Sequence, residues 1–340
     1  MSNHDGEARS DPEELPEAAP EEIEAELEET KRQVFAWRRL LLQSIGFALG
    51  AALIIWLVVR AMQDPAAWQR LRAADPALVA VLLACSAISL ALNGAIFWIA
   101  VQPLRRLGFM ELQWVNAVAA LFNYAPVRLG VFVRLAWHLR VDHMRLREVA
   151  AWFASIAYTV VVPLGAAIAA ALLFGALGLG MLGVTLGLIL VGGIAAPALL
   201  GRRFVQQRSG GLERVVTDPV ALWGSLVVRS IDLGLWALRM MIVVRILGME
   251  LSASQSFMLA MAAMAVTLNP LGRLGFREAT VAFVAARMLG GDGEDLVART
   301  SQLAVIESAA ELAVALPAGA VALIMLAGRW KRAKQTRARA

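Results

Sequence analysis

Six long apolar runs, at 40–61, 77–101, 149–174, 177–200, 219–247 and 302–327, constrain this chain more than any other feature. Each is long enough to cross a bilayer, which takes ~20 apolar residues per helix. Hydrocarbon offers backbone amides no water to bond, so runs of this length must satisfy themselves as helices. The predicted fold class is all-α, a polytopic transmembrane helix bundle. Composition agrees: 59% of the 340 residues are hydrophobic and 17% charged, with mean hydropathy +0.65. A soluble domain carries about 25% charged residues.

Two further segments, 109–133 and 252–289, are apolar but broken by Pro, Gly and Arg. Lys and Arg in short loops decide how they sit, because such loops stay in the cytoplasm. Lys31, Arg32, Arg38 and Arg39 precede the first run, and Arg105 and Arg106 follow the second. Arg134, Arg140, Arg145 and Arg147 follow the first broken segment. Arg202, Arg203, Arg208 and Arg214 follow the fourth run, and a basic tail from Arg329 ends the chain. All fall on one side if there are six full spans and two re-entrant segments, one dipping in from each face. Eight spans, with two ordinary crossings in place of either dip, are the alternative. Both versions place the N- and C-termini in the cytoplasm of a multi-pass protein of the cell membrane.

The expected domains are a disordered acidic tail at 1–20, a cytoplasmic surface helix at 21–39, the transmembrane domain at 40–328 and the basic cytoplasmic tail at 329–340. Residues 1–29 hold twelve acids and one base, which suits a solvated tail. The remainder carries 31 Lys and Arg against 15 Asp and Glu, a surplus that favours anionic lipid headgroups. No cleavable signal peptide is expected, since the N-terminus is acidic where a signal is basic.

The broken segments echo each other. The first reads NYAPVRLGVFVR from Asn123, and the second NPLGRLGFRE from Asn269. Each carries Asn, Pro and Arg-Leu-Gly, with Arg128 and Arg273 offset by 145 residues. Pro126, Gly130, Pro270, Gly272 and Gly275 are the expected backbone breaks, because proline removes a donor and glycine permits unwound backbone. Paired interruptions in corresponding halves point to a transporter's midplane site and to an inverted repeat.

Charges inside spans cost about 2.5–3.5 kcal/mol each on insertion scales, so they are expected to face a cavity or a partner. Arg229 and Asp232, three apart on one helix, should pair. Glu307 and Glu311 share a face of the last span, and Glu278 follows Arg277 in the second broken segment. Arg134 and Arg239, closer to span ends, are expected to be able to snorkel to the interface. Gly175, Gly178, Gly180, Gly183, Gly187, Gly192 and Gly193 read as close helix packing.

Several functions are excluded. There is no HExxH or Cys/His cluster for a metal, Cys85 stands alone, and Asp232 is the one aspartate deep in a span. Neither a cofactor, a metal nor a nucleic acid is expected, and the chain reads as a non-enzyme.

The sequence NPLGRLGFREA resembles the flippase-like family built around the transmembrane region of lysylphosphatidylglycerol synthase, through Pro270, Gly272, Leu274, Gly275 and Glu278. In APVRLGVFVR, Pro126, Gly130 and Arg134 fit that family's pattern, while Val131 stands where it has Glu. The resemblance spans roughly 40–328 and implies a lipid-handling membrane protein. Binding or translocation of an anionic lipid or lipid-linked molecule follows as the expected function. Asn123, Arg128, Arg134, Asn269, Arg273 and Arg277 would hold the headgroup. Arg229, Asp232, Glu278, Glu307 and Glu311 would balance charge or carry a coupling proton. The expected partners are anionic lipids. A scaffold subunit working with envelope-biogenesis proteins is the alternative, and a membrane-embedded lipid-modifying enzyme the second.

Overall fold

The structure, a computed structural model, describes residues 37–62, 69, 72–124, 129–174, 178–202, 209–268, 275–289 and 294–337. The acidic tail and most of the expected surface helix, residues 1–36, lie outside the described residues. Eleven helices and no strand occur among the described residues: α1 (Trp37–Met62), α2 (Pro76–Val101), α3 (Phe109–Phe122), α4 (Leu129–Arg140), α5 (Leu146–Phe174), α6 (Leu179–Leu200), α7 (Arg214–Thr217), α8 (Pro219–Ile246), α9 (Ala253–Val266), α10 (Phe276–Leu289) and α11 (Glu294–Arg337). The six predicted spans are α1, α2, α5, α6, α8 and α11, and α11 continues through the basic tail to Arg337. Four helices, at 76–101, 146–174, 179–200 and 296–331, are long and apolar enough to cross a membrane by length and composition. α8 is equally long but turns Arg229, Asp232 and Arg239 into the bundle.

Each broken segment is a pair of short helices, α3–α4 and α9–α10. Their 14, 12, 14 and 14 residues extend roughly 18–21 Å at 1.5 Å per residue, short of a ~30 Å hydrocarbon core. Side-chain contacts show where each pair begins and ends. Glu111 at the start of α3 pairs with Arg329, and Trp137 near the end of α4 stacks on Trp330 at 5.9 Å. The first pair therefore enters and leaves at one end of the bundle. Leu104, Leu139, Met144, Val215 and Val216 share one core there, so the loops after α2, α4 and α6 converge on this basic end. At the opposite end, Gln302 donates to the Ala61 carbonyl at 2.6 Å, and Gln255 reaches the Met288 carbonyl at 3.5 Å. The second pair thus enters and leaves from the other face, and the bundle has the expected two dips of opposite direction.

An inverted repeat follows from these directions. The order long helix, short pair, long helix occurs as α2–α5 and again as α8–α11, running the opposite way. Both units open on the same device. Asp75 accepts from the Ala77 amide at 2.9 Å, and Asp218 from the Ala221 amide at 2.7 Å. Each caps a helix whose first residue is proline, a position that needs no amide donor. α2 and α8 pack antiparallel at the centre, with Ser89 against Asp232 and Asn93 against Arg229.

Glycine is required where the second short pair meets α1. Gly275 has φ +79°, and a Cβ there would lie 1.8 Å from the Gly50 carbonyl oxygen. In α6 the glycine expectation holds only in part. Gly192 and Gly193 abut Val162 and Trp223, but nothing lies within 4 Å of a Cβ at Gly178, Gly183 or Gly187. Gly183 and Gly187 lie on a helix whose apolar stretch is only 17% buried and Gly178 just before it, so among the described residues these three mediate no packing, and Gly175 lies outside those residues.

Candidate functional site

A cavity of about 400 Å³ lies at mid-depth, beside Ser89 at the middle of α2 and Asp232 at the middle of α8. Both short pairs border it. Asn123, Gly130 and Arg134 come from the first, and Met264, Thr267 and Leu268 from the second. Gly130 allows the first pair to close, since a Cβ there would lie 2.2 Å from both the Ala119 carbonyl and the Asn123 side-chain oxygen. Gly275 lies instead against α1, so the two glycines, Gly130 and Gly275, sit differently with respect to the cavity. Pro126, Arg128, Asn269, Pro270, Gly272 and Arg273 lie outside the described residues.

One hydrogen-bonded network runs along the cavity. Arg134 donates to Asn116 Oδ1, which also accepts from Asn93 Nδ2 at 2.8 Å. Arg229 donates to Asn93 Oδ1 at 3.3 Å and to Asp232 at 2.9 Å. Ser89 donates to Asp232 and accepts from the Trp236 indole at 3.1 Å. The guanidinium groups of Arg239 and Arg277 lie 5.4 and 5.5 Å from the Trp236 ring, a cation–π arrangement on one indole. Arg277 donates to Glu307 at 2.7 Å, to Glu311 at 2.6 Å and to Ser308. Arg239 pairs with the same Glu307 and, at 3.4 Å, with Glu311. Glu278 lies 3.4 Å from Arg277 and accepts from the Gly275 amide at 2.7 Å, so it also closes the second turn. Tyr124, at the end of the first short pair, donates to Glu311 at 3.1 Å and joins the two halves.

The network answers the expectations residue by residue. Arg229 and Asp232 pair, buried, as predicted. Arg239 does not snorkel: it is 1% exposed and seven residues inside the end of α8, where Glu307 is nearer than any interface. Arg134 does not snorkel either, lying buried with its guanidinium 3.8 Å from the Phe97 ring centre. Arg277, predicted to hold a headgroup, does not border the cavity and is committed to three carboxylates. Ser89, Asn93, Asn116, Tyr124, Trp236 and Ser308 were not anticipated. The two amides were detectable by the cost that marks a buried charge, since an unpaired amide in an apolar run is also expensive.

Among the described residues, four guanidinium groups and four carboxylates belong to this network: Arg134, Arg229, Arg239 and Arg277 against Asp232, Glu278, Glu307 and Glu311. They are not evenly matched in space. Among the described residues no carboxylate pairs with Arg134; its one hydrogen bond goes to the neutral Asn116. It is the cation on the cavity wall that faces no carboxylate among the described residues.

A family model for the transmembrane region of lysylphosphatidylglycerol synthase matches residues 43–319. The chain belongs to this family. The match covers α2 to α10 and most of α11, including every residue of the network. No curated protein and no solved structure matches the chain. Membership makes it a multi-pass membrane protein related to lipid handling, in agreement with the apolar helices.

The central pair gives a stability test. Asp232→Ala strands Arg229 in the bundle, and breaking one partner of a buried ion pair costs roughly 3–5 kcal/mol. Removing both charges strands neither. The single variant is therefore expected to melt at a lower temperature in detergent than Arg229→Ala with Asp232→Ala. Equal melting temperatures would show the pair to be solvated.

Proposed function

We propose that this protein binds the headgroup of an anionic lipid or lipid-linked molecule in the central cavity and moves it across the membrane. One observation carries the reading: a mid-depth cavity bordered by two oppositely directed dips, with Arg134 on its wall and no carboxylate among the described residues to neutralise it. A phosphate would supply the missing anion, and a guanidinium binds phosphate through several parallel donors. Asn123 borders the same space and adds an amide. The volume falls within the range of small-molecule sites, about 300–1,000 Å³. Opposed dips in an inverted repeat also supply what alternating access needs, namely two similar gates of opposite direction.

In this reading the protein makes or breaks no bond. The carboxylates of Glu307 and Glu311 hold Arg239 and Arg277 and so fix α8, α10 and α11 around the cavity. Glu311, with its side chain 18% exposed and on the cavity wall, is the carboxylate placed to exchange a proton. The basic end lies in the cytoplasm of a cell-membrane protein, as the Lys and Arg bias of its loops directs.

Reconstituted vesicles test the proposal. Fluorescent anionic phospholipid in the inner leaflet should become accessible to an outside quencher faster with the protein than without it. Zwitterionic lipid should respond less. Unaccelerated movement of all lipids tested would reject transport and leave the scaffold role. A changed lipid mass after incubation would point to an enzyme.

A further inference from the structure

We infer a second lipid site, outside the central cavity, that holds one anionic glycerophospholipid at the basic end of the bundle. A groove of about 500 Å³ runs between α3, α4 and the last turns of α11, and shares no residue with the cavity. Its floor is hydrocarbon, from Val118, Phe122 and Leu326, and suits an acyl chain. Its mouth carries Arg140, Trp330 and Lys331. Arg140 lies 5.6 Å from the Trp330 ring centre, a cation–π contact that positions the guanidinium at the mouth. Among the described residues no carboxylate pairs with Arg140 or Lys331, whereas neighbouring Arg329 is taken by Glu111.

Trp137 supplies an independent observation. It lines the same groove, is 4% exposed, and its indole N–H has no acceptor among the described residues. A buried donor without an acceptor is costly, and an ester carbonyl or phosphate oxygen at this depth would satisfy it. Tryptophan pairs and basic side chains also mark the headgroup level of a membrane. An apolar floor, two uncommitted cations and one orphaned donor together describe a diacyl lipid with a phosphate. They fit neither a neutral lipid, which leaves the cations unmatched, nor a soluble anion, which leaves the floor bare. The lipid would brace the outer face of α3–α4, the pair whose inner face carries Arg134. The site stands whether or not the protein transports anything.

Native mass spectrometry of the full chain, released from nanodiscs of equal phosphatidic acid and phosphatidylcholine, tests this. Measurements use an Arg134→Gln background, so that a ligand of the central cavity is not counted. The expected result is one phosphatidic acid retained per chain, at least tenfold over phosphatidylcholine. Arg140→Gln with Lys331→Gln should lower retention at least fivefold, and so should Val118→Trp, which fills the floor without touching charge. The rim variant alters no core residue, so it keeps the test decisive if the filled groove does not fold. Equal retention of phosphatidylcholine, or unchanged retention in the rim variant, overturns the site. So does a chain that retains phosphatidic acid only after residues 1–29 are deleted, which would assign the groove to the acidic segment.

Discussion

Arg277→Met should lower stability by roughly 3–5 kcal/mol, the range seen when one member of a buried ion cluster is removed. The size follows from what is left behind. Glu278, Glu307 and Glu311 all touch Arg277, and all three are turned toward the bundle interior. Without it Arg239 faces Glu307 and Glu311, Tyr124 still donates to Glu311, and Glu278 keeps Ser308 and the Gly275 amide. Arg277→Lys should be almost as damaging, because a single ammonium cannot bridge Glu307, Glu311 and Ser308 as a planar fork does. Arg277→Met with Glu307→Gln should recover part of the loss by removing a stranded charge. Thermal unfolding in detergent gives the order wild type, double variant, single variant. A single variant that melts with the wild type would mean that this cluster does not hold α8, α10 and α11 together.

How much of this was legible in the sequence depends on which physical signal each feature leaves. The spans left a strong one, since a helix must be apolar over its whole length to cross lipid, and five of the six appear within a few residues of expectation, while the last, expected at 302–327, runs from Glu294 to Arg337. One expected break is visible at Gly275, with φ +79°, because glycine acts locally, whereas Gly130 lies inside α4 and serves close approach instead. The Arg229–Asp232 pair was legible because both members sit on one helix face. Partners on different helices leave no such trace: that Arg239 meets Glu307, or that Asn93 meets Asn116, depends on which helices become neighbours. Arg239 was misjudged for that reason, its distance from the helix end suggesting an interface when a carboxylate was closer. The α6 glycines were misjudged conversely, because close packing needs a partner and Gly183 and Gly187 have none in this chain. One signal was present and overlooked. Asp75-Pro76 and Asp218-Pro219, 143 residues apart, both cap a central helix that opens on proline and register the repeat as closely as the Arg-Leu-Gly echo.

Arg134→Gln should have the opposite profile to Arg277→Met, with a small change in stability and a large one in lipid movement. No carboxylate is paired with Arg134 among the described residues, so its removal strands no counter-charge in the bundle. The losses to folding are the contact with Phe97 and one hydrogen bond to Asn116, which keeps its partner Asn93. Cation–π contacts contribute about 0.5–2 kcal/mol, well below the loss expected at Arg277. Transport should respond differently, because among the described residues this arginine is the positive charge on the cavity wall that pairs with no carboxylate. Losing charge-assisted hydrogen bonds to a phosphate removes about 1.5–3 kcal/mol, which is tenfold or more in binding. Anionic lipid should therefore cross at one tenth of the wild-type rate or less, with zwitterionic lipid little affected. Arg134→Lys should fall between, keeping the charge but not the fork. The two variants, Arg134→Gln and Arg277→Met, separate the roles within one network: one arginine for the ligand, the other for the fold. If Arg134→Gln moves anionic lipid at the wild-type rate while melting normally, the headgroup is held elsewhere, and the central cavity loses its assignment as the transport site.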